Sequence, residues 1–387
     1  MQLYWRLVFI IFIEILGYSS LSWSQSEMLN NQLWAPPDYS ALNKSTIDYE
    51  KSPFSVPAEL NDEVQFWIDI YSKYTTRQGV FHRLGRTDEV LGEIDLTDIY
   101  ANQKWSKIRQ EKEAELLIKR QRAHIAQMHG IKNVKQIRLQ MGLKDRMLGA
   151  IQLSGLYLPM MEKVFQEENL PVELTRVVFV ESSFNISAGS KVGASGLWQI
   201  MPRVAQQYKY IKPSQDLRSH PYFATRLAAK LFKLNYQILQ SWPLAVTAYN
   251  HGVGGMQKLV RKYKSRDIGD LIGKAKGGRG SFGFASRNFY ATFLAALHVE
   301  AHANLYFPEP ILKKSSIGSR QVYLTKKMSY VKLLQLFEQD RSKLVLYNPH
   351  LKRSLLRSGQ DIPASTLVSL PVGSELQTGL FREADAH

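Results

Sequence analysis

The sequence predicts a mainly α-helical protein with a small α+β unit at its C-terminal end. Three observations carry this. Apolar residues recur at helical spacing, as Val64, Trp67, Ile68 and Tyr71 do at i, i+3, i+4 and i+7. Between Ile151 and Ala303, Pro159, Pro171, Pro202, Pro221 and Pro243 each precede or open such a pattern, where a missing N–H is no loss because the first turn offers it no partner. Strand-like runs are read only in the tail, at Val322–Thr325 and Leu367–Pro371.

Taken in order, Met1–Arg6, the apolar run Leu7–Gly17 and the small, polar residues behind it read as a secretory signal peptide over 1–24. Ser22 and Ser24 supply small residues for cleavage before Gln25, although Glu14 is unusual in such a run, and an uncleaved anchor is the other outcome. Residues 25–58, polar and carrying Pro36, Pro37 and Pro57, read as an extended linker. A helical N-terminal extension is expected over 59–150. It begins with the helix from Asn61 and continues in a charged helix from Trp105 to Met128, where Glu111, Lys112, Glu113, Glu115, Lys119 and Arg120 mix signs as a solvated face does. Residues 151–303 read as a compact all-helical domain, one of whose helices is marked by Phe223, Leu227, Leu231, Leu234 and Ile238. In 304–387 the order is strand, helix around Leu333, Leu336 and Phe337, a second helical stretch at Leu346–Leu351, and a closing strand in Ile362–Pro371.

Composition bounds the function. Hydrophobic content of 44% and charged content of 22% are those of an ordinary globular protein. The absence of cysteine excludes disulfides, thiolate zinc sites and lipid attachment through an N-terminal cysteine. Fifty Lys and Arg against 34 Asp and Glu leave a net charge of +16, spread along the chain. No nucleic-acid recognition motif accompanies it, and an exported protein rarely meets DNA. Anionic polymers or acidic membrane faces of a cell envelope suit it better, through attraction that salt screens.

The densest chemistry lies in Glu181–Ala205, ESSFNISAGSKVGASGLWQIMPRVA. Leu170, Leu174, Val177, Val178 and Glu181 fall on one helical stripe, so Glu181 lies on a face that is otherwise apolar. A carboxylate there is costly when ionised and unpaired, and its pKa rises. A carboxyl that keeps its proton near neutral pH is what a general acid for glycosidic cleavage needs. The plainer alternative is a helix-terminal Glu paired with a nearby Arg. Downstream come Asp216-Leu217-Arg218, His220-Pro221 and Ala248-Tyr249-Asn250-His251-Gly252-Val253-Gly254. A helix from Pro243 stops at Asn250 and the glycines, presenting Tyr249 and Asn250 at its end, where a tyrosine offers a stacking face and a hydroxyl.

These motifs together resemble the lytic murein transglycosylases, relatives of goose-type lysozyme with an SLT-type catalytic domain (glycoside hydrolase family 23), nearest the membrane-bound lytic transglycosylase D group. The resemblance implies a lysozyme-like catalytic domain acting on peptidoglycan glycan strands in the periplasm. It implies cleavage of the β-1,4 bond between N-acetylmuramic acid and N-acetylglucosamine with a 1,6-anhydro product. Glu181 would serve as acid and then base, and no cofactor or metal would be needed. Ser190 and Gln199 match positions that bind near the acetamido group, Tyr249 and Asn250 would shape sugar subsites, and Gly193 and Gly196 would permit close backbone approach. Ser286-Arg287-Asn288-Phe289-Tyr290 resembles the family's R-N-Y segment with Phe289 at the tyrosine position, so Tyr290 supplies the hydroxyl instead or that bond is lost. Lys132, Lys135 and Arg138 lie where a glycan could brush them, with no motif that compels it. The tail resembles a LysM glycan-binding module, while an appendage that only packs on the core fits equally.

Two rival functions stay open: a muramidase that uses water, and a non-catalytic peptidoglycan-binding scaffold. The first needs a second carboxylate or a fixed water. Asp216 is the nearest candidate, but its D-x-R setting reads as structural. His298 and His302 sit at i, i+4 without H-E-x-x-H or a third ligand, and read as a satisfied or solvated pair. Gly273–Gly283 is basic and glycine-rich but lacks the G-x-x-x-x-G-K-[ST] order of a phosphate loop, and no G-x-S-x-G elbow marks a hydrolase.

Overall fold

The structure, a computed structural model, describes residues 52–275, 282–316, 318–374 and 379–384. The signal-peptide expectation, most of the 25–58 linker and the middle of Gly273–Gly283 lie outside these residues. Among the described residues, no helix is long and apolar enough to cross a membrane.

Helix α1 (Asn61–Ser72) forms where the apolar repeat predicts it and buries Val64, Trp67, Ile68 and Tyr71. The chain then departs from the helical expectation for 59–150. Strands β1 (Gln78–Arg83), β2 (Arg86–Asp95) and β3 (Ile137–Met141) make an antiparallel sheet in the order β2-β1-β3. Arg83 pairs with Arg86 across a two-residue loop, where Gly85 takes a φ of 84° that a side chain would disfavour. The central strand hides from period-2 analysis because both of its faces are covered: Val80 joins the helical core, and Phe81 a separate cluster. That second cluster lies under α2 (Lys107–Met128), which is capped by the Ser106 hydroxyl and buries only Ala114, Ile125 and Ala126. Such a narrow seam is what its charge pattern predicts.

The all-helical stretch follows the prolines. After α3 (Lys144–Ser154), α4 is Leu158–Glu167. A 3-10 segment Val172–Arg176 then runs into α5 (Val177–Glu181), followed by α6 (Pro202–Gln207), α7 (Pro221–Leu239) and α8 (Trp242–His251). In α7 the buried face is Ala224, Leu227, Ala228, Phe232, Asn235 and Leu239, while Leu234 is exposed. Small alanines let α8 approach, so the packed face runs alongside the stripe of large residues rather than on it. Gly252 turns the chain into α9 (Val253–Tyr263), then α10 (Ile268–Lys274). The last long helix, α11 (Phe284–Ala301), is buried nearly all round and packs on α1, α5 and α8, with Trp67 Nε1 donating to Asn288 Oδ1 at 2.9 Å. Arg176, itself buried, pairs with Glu162 and Glu300, and Glu300 also with Lys313, tying α4, α5 and α11 together beneath the site.

The C-terminal unit keeps the expected order and adds to it. Strand β4 (Ser319–Leu324) lies between β5 (Leu367–Pro371) and β6 (Phe381–Glu383), with α12 (Tyr330–Gln335), α13 (Arg341–Tyr347) and α14 (Arg353–Ser358) between β4 and β5. It has its own core, centred on Val322, Leu333, Phe337, Leu344, Ile362 and Val368. It also packs on the helical domain along 214–220. Asp216 N donates to His350 O at 2.7 Å, Lys352 N to Ser214 O at 3.0 Å, and Leu367 N to Gln215 Oε1 at 2.8 Å, while His220 and Ser369 share a hydrogen bond.

Candidate active site

Glu181 is the last residue of α5. Ser183 and Phe184 follow with φ of 50° and 58°, folding the chain back so that Phe184 is buried against Phe179 and Tyr157. The Ser182 hydroxyl donates to Leu197 O at 2.8 Å and fixes the helix end to the downstream loop. Among the described residues Glu181 makes no hydrogen bond and no ion pair, so the alternative of an Arg-paired glutamate does not hold. The residue is half-buried, with protein packed closely round the carboxyl. The resulting loss of hydration pushes its pKa from the ordinary 4.5 up to about 8.

Two tyrosines stand close enough to feel that charge. Burial first, and the Glu181 charge second, raise the hydroxyl pKa of both Tyr71 and Tyr249 above the ordinary 10.0, so both stay protonated donors. Tyr249 stacks on Phe232 with centroids 4.7 Å apart, and its hydroxyl donates to Trp198 O at 2.8 Å. Trp198 is fully buried, stacked on Phe165, with Nε1 donating to Thr225 Oγ1 at 2.9 Å. Tyr249 therefore holds the backbone just before Gln199. Tyr71 comes from α1, is 5% exposed, and its hydroxyl has no hydrogen-bond partner among the described residues. Sequence reasoning missed it as a site residue, because a tyrosine on an apolar stripe reads as core.

The loop from Ser190 to Ile200 is closed by its own polar groups. Ala194 N donates to Ser190 Oγ at 2.8 Å, and Ser190 N to Ala194 O at 3.0 Å, so the Ser190 hydroxyl keeps its hydrogen for a ligand. Gln199, at a φ of 45°, uses its amide nitrogen on Ala188 O at 3.1 Å and Gly196 O at 2.8 Å, which leaves Oε1 as its outward acceptor. Gly193 and Gly196 have φ of 88° and 75°. At Gly196 a Cβ would lie 2.1 Å from Arg218 O, the close backbone approach expected for this position. Arg218 forks onto Asp216 and extends Nη1 to Gly193 O at 2.5 Å and Ile200 O at 3.0 Å, clasping both ends of the loop. Asp216 thus belongs to the clasp, as its D-x-R setting predicts.

Asn250, at the end of α8, accepts from the Ser286 hydroxyl at 2.8 Å, which joins this end of the site to the start of α11. Tyr290 does not join the group. Its ring is fully buried and its hydroxyl donates to Ser55 O at 3.1 Å, since one step along α11 from the core-facing Phe289 turns the side chain toward the segment before α1. His298 bonds Tyr306 and His302 bonds His298 O, so that pair is internally satisfied.

Residues 160–272 match the family described as the Transglycosylase SLT domain. Over 103 residues the chain is 35% identical to the "Putative tributyltin chloride resistance protein" of Alteromonas sp. (strain M-1), covering 26% of this chain and 50% of that protein. It is 33% identical over 103 residues to "Membrane-bound lytic murein transglycosylase D" of Escherichia coli (strain K12), covering 26% of this chain and 23% of that protein. The matched stretch thus spans half or less of these relatives. Among solved structures, the 70 kDa soluble lytic transglycosylase SLT70 of Escherichia coli is similar over 41% of this chain and 26% of its own, at 18% identity and a TM-score of 0.32. Glu181, Ser190, Gln199, Arg218, Tyr249 and Asn250 lie inside the matched 160–272, whereas Tyr71 and Arg287 lie outside it.

Proposed function

We propose that this chain, whose residues 160–272 carry a transglycosylase SLT domain, is a lytic transglycosylase of bacterial peptidoglycan with Glu181 as its acid and base. The observation that carries the proposal is the unpaired Glu181 carboxyl with its pKa near 8. In the first step Glu181 gives its proton to the oxygen linking N-acetylmuramic acid to N-acetylglucosamine, and the C1–O bond breaks. The substrate's own acetamido oxygen bonds to C1 in its place. The Glu181 carboxylate then takes the proton from the C6 hydroxyl, and O6 displaces the acetamido oxygen to close a 1,6-anhydro ring. No water is consumed and Glu181 ends protonated. A carboxyl with a pKa near the working pH serves both directions of transfer.

The remaining residues fit supporting roles. The Ser190 hydroxyl and Gln199 Oε1 offer a donor and an acceptor to the acetamido group. Tyr249 positions the Trp198–Gln199 backbone, and Asn250 edges the cleft. A net charge of +16 suits an anionic envelope polymer. The hydrolytic reading is the weaker one, because the one nearby carboxylate of the motif region, Asp216, is engaged by Arg218.

The test is mass spectrometry of purified peptidoglycan digested by the protein. Products about 18 Da lighter than hydrolysed ones, by the one water not consumed, and ending in anhydro rings are expected. Reducing ends would make it a muramidase, and wall binding without cleavage a scaffold. A second expectation concerns Tyr71. Tyr71→Phe removes only a hydroxyl that lacks a protein partner, so the melting temperature should stay put. One lost hydrogen bond to substrate corresponds to about tenfold in kcat/KM. Unchanged kinetics would remove Tyr71 from the site.

A further inference from the structure

The β1–β2 hairpin, β3 and the first turn of α11 meet around Phe284. His82 stacks on its ring with centroids 5.6 Å apart, and Arg138, the cross-strand partner of His82, places its guanidinium 4.0 Å from the ring centroid. Arg287 lies one turn along α11 and reaches the hairpin loop, where a Cβ on Gly85 would sit 3.4 Å from its Nη2. Both guanidinium groups are half-buried, and burial draws both pKa values down, though arginine stays charged. Among the described residues neither makes an ion pair or a hydrogen bond, and Arg138 Nε is a buried donor with no acceptor. The carboxylates of the hairpin do not serve them: Glu89 pairs with Arg83, and Asp88 with Arg86. Arg138 has the face of the Phe284 ring as its partner, yet neither half-buried cation has an anion within the described residues.

Their location bears on the site. Ser286, next to Arg287, is the residue that bonds Asn250 at the cleft end. Through Ser286 the Arg287 end of this cluster is tied to Asn250, which sits on α8 beside Tyr249.

We propose that Arg138 and Arg287 form a subsite for a carboxylate of the peptide stem carried by the glycan. This rests on the reading of the chain as a peptidoglycan-cleaving enzyme. A planar, weakly hydrated guanidinium binds a carboxylate with two parallel hydrogen bonds. The subsite draws Arg138 from the N-terminal sheet and Arg287 from α11, so both lie outside the matched SLT stretch. It makes the sheet a specificity element rather than a decoration of the catalytic domain.

The experiment compares the full chain with Arg138→Gln, Arg287→Gln and the double variant on two substrates: stem-bearing glycan, and the same glycan stripped of its stems. The preference for stem-bearing glycan, read as the ratio of the two kcat/KM values, should fall about tenfold in the double variant. An unchanged ratio would overturn the subsite. A wild-type protein that cleaves neither substrate would instead overturn the enzymatic reading. The subsite itself is then read by calorimetry of a free stem tetrapeptide, with inorganic phosphate titrated in parallel. Peptide binding that the double variant loses supports the assignment, and phosphate binding without peptide binding overturns it. Arg138→Gln gives up the guanidinium's contact with the Phe284 ring but also removes half-buried charge, so the variants should melt close to the parent. A large drop in melting temperature would make the arginines structural and also overturn it.

Discussion

Glu181→Gln should reduce peptidoglycan cleavage by about 10³-fold, inside the 10²–10⁴ that a positioned acid or base usually contributes. The amide keeps the shape and burial of the side chain but can neither give nor take the proton. Folding should be preserved, and the pH dependence should be diagnostic. A free-enzyme carboxyl with a pKa near 8 is protonated below that value, so the first step should run at neutral pH and kcat/KM should fall as pH rises through about 8. Stability moves in the same direction. Between the ordinary 4.5 and about 8 the folded state holds a proton that the unfolded state has released, so wild-type stability falls with rising pH over that window. The slope is at most about 1.4 kcal/mol per pH unit, and smaller here because the residue is only half-buried. The Gln variant lacks this slope, so its melting temperature should gain on the wild type from pH 5 to pH 8.5. A variant that melts in parallel with the wild type at every pH would show that Glu181 titrates as an ordinary surface carboxyl.

The parts of the site that were legible in the sequence share one property: their chemistry and their local geometry are written in the same short stretch. Glu181 announces itself by lying on the stripe of Leu174, Val177 and Val178, and the glycines that follow it are the ones whose φ and close contacts demand glycine. Helix α1 was legible as a helix because one face is buried, but Tyr71 on it was not legible as a site residue. Glu181, whose charge it feels, lies far along the chain, and they are brought together because α1 and α5 both pack on α11. The N-terminal sheet escaped for a related reason. Val80 and Phe81 point to different cores, so β1 shows no alternation to read. Tyr290 illustrates the opposite failure. A helix buried nearly all round has no spare face at this position, and the Tyr290 hydroxyl donates to Ser55 O. The motif singles out Glu181, and the tertiary fold decides what surrounds it.

Gly196→Ala should damage both stability and turnover. At a φ of 75° any side chain is strained, by about 1–3 kcal/mol. The added Cβ would also meet Arg218 O at 2.1 Å with the Arg218 carbonyl carbon at 3.0 Å, so it collides with backbone rather than with a side chain that can swing away. Arg218 cannot retreat alone. Its guanidinium holds Asp216, Gly193 O and Ile200 O, and the Asp216 amide is bonded to His350 O of the C-terminal unit. Relief must come from moving the Ser190–Ile200 loop, which carries two of the proposed substrate contacts beside Glu181. A displacement of about 1 Å at such a loop costs about 100-fold in turnover. The expected result is therefore a lowered melting temperature together with that loss of kcat/KM under conditions where the variant remains folded. Gly254→Ala supplies the contrast: it lies in α9 with nothing within 4 Å of the added Cβ, and should be neutral or slightly stabilising. Wild-type melting and turnover in the Gly196 variant would mean that the clasp yields freely, and that the C-terminal unit does not constrain the catalytic loop through the Asp216–Arg218 step.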